Sequence, residues 1–308
     1  MRKIQFSTGA EPVVVTAAQP VPGPGQLLVR TELAGVGLGL VRQLAAGEMD
    51  APGGEIVGTV TGLGTDVSPE WLGKRVGGLV FGAIHAEYAL AVPQLITEVP
   101  GAADAADALA VVRGGLIALG VLKASRFRAG ESVLITGAAS GAGHLAVQLA
   151  RTLGAARVVA AVSDLAKAEF LRECGADAVL TYAEPWPESV DVVLDGVGGD
   201  LVRRGVNALA PHGRLVAFSA GGGAIDASSL LGELKTVTGF SAGLLSRTRP
   251  ELLQAWRAEL WELLAAGRIR PRHIVLPLEN IGAAVELVRS RRNQGRVMVR
   301  TAAAVVAG

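Results

Sequence analysis

The sequence predicts an α/β fold in which a doubly wound parallel sheet is inserted into a β-rich domain. Three observations predict it. Short, β-branched, glycine-punctuated strands fill the chain up to about residue 100. Apolar strands then alternate with helices after about residue 130, and β-like character returns beyond Gly267. With 308 residues, half of them apolar, the chain is long enough for two domains and a large core. The expected division is 1–118 with 268–308 for the β-rich domain and 119–267 for the inserted one.

The elements follow in order. VVVT at 13–16, LLVRTEL at 27–33 and EIVGTVTGLG at 55–64 read as strands, and PVPGPG at 20–25 as a proline-rich turn, because a strand follows at once. The alanine-rich stretch 103–123 is helical in pattern. Strands are then expected near SVLIT (132–136), RVVAAV (157–162), AVL (178–180), DVVLD (191–195) and RLVAFS (214–219). Helices near 143–153, 164–174 and 201–209 supply right-handed crossovers between buried parallel strands. The amphipathic ELLQAWRAELWELLAAG ends at Gly267, and RIRPRHIVLPL, one more helix and RVMVR close the chain.

Composition excludes several functions. The formal charge is +1, from 29 basic and 28 acidic residues, so there is no bulk electrostatic case for nucleic acid or a membrane surface. The single cysteine, Cys174, excludes an intrachain disulfide framework and reads as a buried small hydrophobe. The histidines 85, 144, 212 and 273 show no helical pairing, which disfavours a metal site. No apolar leader follows the first residues, and apolar runs look broken before the ~18 residues of a membrane span, so a cytoplasmic protein is expected.

The first motif with chemistry is the turn GAASGAG at 137–143, between strand SVLIT and helix HLAVQLARTLG. Small residues there let backbone amides and a helix N-terminus approach a pyrophosphate. The dinucleotide pattern G-x-G-x-x-G falls on Ala138, Ser140 and Gly143, so only its last glycine survives. The strand–turn–helix context makes Ala138, Ser140, Gly141, Ala142 and Gly143 candidate cofactor-binding residues, against a plain tight βα turn.

The segment from GESVLITGAASGAG to CGADAVLTY resembles the cofactor domain of the medium-chain dehydrogenase/reductase superfamily, and is most similar to its zinc-independent quinone oxidoreductase branch. PGPGQLLVRTELAGVG, VDVVLDGVGGD and GRVMVR extend the resemblance over nearly the whole chain. It implies a Rossmann domain inserted in a GroES-like catalytic domain formed by both chain ends, with the active site in the cleft between them. It also implies a homodimer paired through Rossmann edge strands, for which TVTGF (236–240) is the apolar candidate.

Departures from the family bear on the chemistry. Where zinc alcohol dehydrogenases carry cysteine, histidine and a third ligand, this chain has Gly37, Gly54 and Arg113, so catalysis without zinc is expected. His85 stands where the branch has an aromatic. His85 and Arg113 are therefore the candidate catalytic residues, as a donor to a carbonyl oxygen and as a cation for an anionic group; a solvent-facing histidine and an ion-paired arginine are the structural alternatives. Glu55 is expected as a domain-interface carboxylate, Tyr88 as structural, and Asp195 as a turn carboxylate. Gly196 allows close backbone approach to the cofactor, while Ser219 and Phe240 either line the nicotinamide pocket or simply pack.

The second strand ends on Val162 rather than on the carboxylate that holds ribose hydroxyls in NAD-selective domains. Ser163, Lys167 and Tyr182 match the branch's NADPH-type positions; Asp164 argues the other way, and Ser163 as a cap with Lys167 as a surface charge is the structural alternative. The resemblance thus implies an NADPH-dependent oxidoreductase passing hydride to a small electrophile, a quinone or an α,β-unsaturated carbonyl. The alternatives are an enoyl-thioester reductase of polyketide type and a non-catalytic NADPH-binding partner or sensor.

Overall fold

The computed structural model describes residues 1–47, 52–218 and 221–301. They form two compact units, Met1–Arg113 with the chain from Arg272 onward, and Gly114–Pro271. Segments 114–118 and 268–271, placed with the chain ends on sequence grounds, belong to the second unit.

The first unit is built on an antiparallel sheet whose central strand, Leu27–Val36, pairs with Gly54–Leu63, Tyr88–Ala91 and Arg296–Arg300. Inward residues such as Val29, Leu33, Ile56, Val60, Val297 and Val299 are fully buried. The closing strand Arg296–Arg300 also takes His273–Pro277 as a parallel partner. The two ends of the chain thereby share one sheet.

The second unit is a six-stranded parallel sheet. Its strands are β1 (Ser132–Thr136), β2 (Arg157–Val162), β3 (Ala178–Thr181), β4 (Val190–Asp195), β5 (Leu209–Ala217) and β6 (Thr236–Gly239). Their order is β3-β2-β1-β4-β5-β6, the doubly wound arrangement of the Rossmann fold. Val192, Val193 and Leu194 of β4 are all fully buried, as a strand covered on both faces requires. Strand order reverses between β1 and β4, so the crevice for a ligand opens at their carboxyl ends. β5 begins at Leu209, earlier than the apolar run RLVAFS indicates, because Leu209 already pairs with Val190 of β4 and the intervening APHG is taken up by an irregularity in the register.

One expectation about apolar runs is corrected. The helical stretch Ala105–Ala124 is long and apolar enough, by length and composition, to cross a membrane, but most of it is buried inside the protein as a core helix. Its middle, Val111–Gly115, is a π-turn, and Arg113 sits in it.

Candidate functional site

At the end of β1 the chain turns tightly into the helix Gly143–Thr152. Gly137 adopts φ 62°, Ser140 N donates to Gly137 O at 2.9 Å, and Gly143 N donates to Ser140 Oγ at 3.0 Å. A Cβ on Gly143 would stand 2.2 Å from Gly137 O and 2.7 Å from Ala138 O, so only glycine closes this turn. Ala138 is fully buried, Ser140 is exposed, and Gly141 and Ala142 lie partly exposed ahead of the helix N-terminus. That terminus carries no acidic residue in its first turn, which suits an anionic diphosphate.

The end of β2 supplies the neighbouring surface. Lys167 Nζ lies 3.5 Å from Ser163 Oγ, which is exposed. Asp164 Oδ1 accepts from Ala166 N at 2.9 Å and caps the following 3-10 turn, so this carboxylate is engaged with its own backbone. Tyr182 N donates to Val162 O, and Tyr182 Oη accepts from Gly137 N at 3.1 Å. One residue thus ties the end of β2, through its backbone, to the glycine turn, through its side chain.

Across the switch point, Asp195 is a buried turn carboxylate. Its Oδ1 accepts from Thr136 Oγ1 at 2.6 Å and its Oδ2 from Gly198 N at 2.9 Å. Gly196 N donates to Thr136 Oγ1, and a Cβ on Gly196 would strike the Phe218 ring at 2.7 Å. Phe240 packs within the unit: its ring stacks on Trp256 at 6.3 Å, over Gly120. Ser219 lies outside the described residues.

The first unit holds a charged cluster. Glu55, on the strand Gly54–Leu63, is fully buried. Its Oε2 accepts from Arg113 Nη1 at 2.9 Å, and its Oε1 pairs with Arg296 Nη2. Burial pushes the Arg296 guanidinium down to about 10, which still leaves it charged at neutral pH. The odd sequence AGVGLGL makes room for these groups. A Cβ on Gly35 would meet Glu55 Oε1 at 2.2 Å, and one on Gly37 would meet Arg296 Nη1 at 2.9 Å. A zinc ion does not fit these residues: Gly37, Gly54 and Arg113 offer no ligand atom, and both Glu55 oxygens are held by guanidinium groups. Among the described residues, Asp104, Asp107 and His273 do cluster, but His273 ion-pairs with Asp107 at 3.3 Å and Asp104 caps the helix beginning at Ala105.

His85 is not solvent-facing. Only 3% exposed, it packs edge-on against Phe6 with Nε2 3.2 Å from Gly35 O. A carbonyl only accepts, so Nε2 carries the proton, and the neutral ring has no second N–H for an acceptor oxygen. Burial pushes its pKa from 6.5 to about 4. Between those values the unfolded chain binds a proton that the folded chain does not. Stability therefore rises with pH across that window, by roughly 3 kcal/mol in all. His85→Gln, whose amide can still donate to Gly35 O, should flatten the slope of urea-unfolding free energy between pH 4 and 6.5. An unchanged slope would assign the pH dependence elsewhere.

Comparisons with known proteins meet this geometry. A family profile described as "Zinc-binding dehydrogenase" matches residues 141–258. The human synaptic vesicle membrane protein VAT-1 homolog is 30% identical over 92% of this chain and 81% of its own length. A solved mycobacterial protein complexed with NADPH superposes with a TM-score of 0.87 at 27% identity, covering 97% of this chain and 100% of that one. The quinone oxidoreductase of Pseudomonas syringae pv. Tomato gives 0.85 at 25% identity over 97% and 99%. The chain belongs to the quinone oxidoreductase branch of the medium-chain dehydrogenase/reductase superfamily. It is also 26% identical, over 93% of its length, to a mycocerosic acid synthase-like polyketide synthase of Mycolicibacterium smegmatis, of which it spans only 14%.

In this quinone oxidoreductase-branch protein, two participants went unmarked in the sequence. Arg296 opens the strand RVMVR and is not singled out in the sequence; the available signal was the pair of glycines at 35 and 37 that leave room for its side chain. Thr136 ends β1 as an ordinary β-branched residue, and nothing local marks it as the link to Asp195.

Proposed function

We propose that the chain is an NADPH-dependent reductase, acting without zinc on small electrophiles of the quinone or α,β-unsaturated carbonyl class. When bound, the reduced nicotinamide supplies the hydride. The protein's part is to seat the diphosphate on the turn Ala138–Gly143, to hold the 2′-phosphate with Ser163 and Lys167, and to keep the backbone at Gly196 open to the cofactor. Conjugation in such acceptors spreads the charge that develops on hydride arrival, which lessens the need for a Lewis acid. His85 takes no part in this reading, and Arg113 is the catalytic-side cation.

The observation that carries the cofactor choice is Lys167 Nζ beside Ser163 Oγ at the end of β2, with the Asp164 carboxylate drawn into its own turn. The NADPH-bound neighbour supports it. Lys167→Ala should lower the NADPH-to-NADH ratio of kcat/KM by about tenfold or more, as loss of a phosphate-pairing charge implies. A wild-type preference for NADH, or a ratio unmoved by the substitution, would overturn the reading.

A second reading is favoured by the likeness to a polyketide synthase: reduction of an enoyl thioester. Turnover that requires an acyl-carrier or coenzyme A thioester would select it over free enones. Pairing of two chains through the edge strand β6 is part of the proposal, since among the described residues β5 is its one sheet partner. Light scattering that returns 31.4 kDa at micromolar concentration would exclude the dimer.

A further inference from the structure

We propose that Arg113 makes this protein select acceptors that carry a carboxylate next to the reducible bond; the inference rests on the reductase reading and deepens it. The starting point is charge. Among the described residues, two guanidinium groups, those of Arg113 and Arg296, share one carboxylate, that of Glu55, so this cluster carries one surplus positive charge at neutral pH. Both carboxylate oxygens are engaged, and neither is left to neutralise a second cation fully.

The surplus emerges at Arg113. The Arg296 side chain is 12% exposed and that of Glu55 1%, whereas that of Arg113 is 36% exposed. Arg113 uses Nη1 for Glu55, and among the described residues it has no other hydrogen-bond partner. Its Nη2 lies beside Gly39: a Cβ built there would be 3.7 Å from Nη2, so at this position no side chain covers that edge of the fork. Gly39 belongs to the first turn of the helix Leu38–Ala45, which has no acidic residue in that turn and no capping side chain on Gly37. A carboxylate lying over Gly39 would meet the Nη2 edge of the guanidinium and the positive end of a helix together. A neutral acceptor would leave the surplus charge without a partner.

Binding is measured first, so that turnover is not required. Wild-type protein titrated with monomethyl succinate and dimethyl succinate should bind the monoester about tenfold more tightly, the worth of one charge-assisted pair. Arg113→Met and, separately, Gly39→Asp, which sets a carboxylate beside the guanidinium at a position that favours acids in a helix, should erase that preference. In turnover with NADPH, the kcat/KM ratio of monomethyl fumarate to dimethyl fumarate should fall about tenfold in Arg113→Met, mostly through KM, and recover in part in Arg113→Lys. Equal binding of the two succinates by the wild type, or a preference that survives Arg113→Met, overturns the anion site. A binding preference without reduction of either fumarate overturns the reductase reading and leaves the anion site standing.

Discussion

Gly143→Ala should weaken NADPH binding more than tenfold and destabilise the second unit by about 1–3 kcal/mol, the usual cost of forcing a methyl into a closed space. The added Cβ would stand 2.2 Å from Gly137 O and 2.7 Å from Ala138 O. Both obstacles are backbone atoms, so no rotamer change relieves the contact. The turn must open, and the hydrogen bonds from Ser140 N and Gly143 N open with it. Gly232→Ala is the matched control, because a Cβ there meets nothing within 4 Å. Fluorescence titration with NADPH and urea unfolding of both variants decide the matter. Equal affinities would mean that the cofactor does not use this turn.

Glu55→Gln should cost about 3–5 kcal/mol, the penalty for leaving buried charge without its partner. The substitution leaves two guanidinium groups facing a neutral amide, and Arg296 is already held below its ordinary value by burial. An exposed carboxylate in an ordinary surface pair would cost under about 1 kcal/mol, so the size of the loss separates the two situations. Adding Arg113→Met to Glu55→Gln should restore part of the stability by removing one of the repelling cations, a coupling that a double-mutant cycle measures. A loss below about 1 kcal/mol, or strictly additive changes, would contradict the cluster as described.

The doubly wound sheet was legible because its central strands are buried on both faces and read as unbroken apolar runs, as VVLD in β4 and VVAAV in β2 do. The cofactor turn was legible for a related reason: Gly143 and its small neighbours are a local requirement, written within seven residues of chain at 137–143. What the sequence hid is what depends on distant partners. His85 looked available because a histidine between Ile84 and Ala86 shows nothing of Phe6 or of the Gly35 carbonyl that take up its ring. The partners of Glu55 were hidden because its two cations, Arg113 and Arg296, are contributed by the middle of a core helix and by the last strand. Asp164 pulls against the NADPH-type residues in the sequence, and its bond to Ala166 N, which draws the carboxylate into its own turn, depends on local geometry that the sequence does not display.

The glycines at 37 and 54 also constrain the routes by which this chain can change. A cysteine at Gly37 would place its Cβ 2.9 Å from Arg296 Nη1, and Arg296 is pinned by Glu55. A histidine at Gly54 would drive its Cβ to 2.6 Å from Ile84 Cδ1, a fully buried side chain. Each step toward a metal-ligating set therefore disrupts packing before any ligand set is complete. The intermediates would be damaged in stability and would gain nothing in chemistry. Such a barrier works like a latch: while two arginines occupy this space, no single substitution can install a metal ligand without first displacing a buried neighbour.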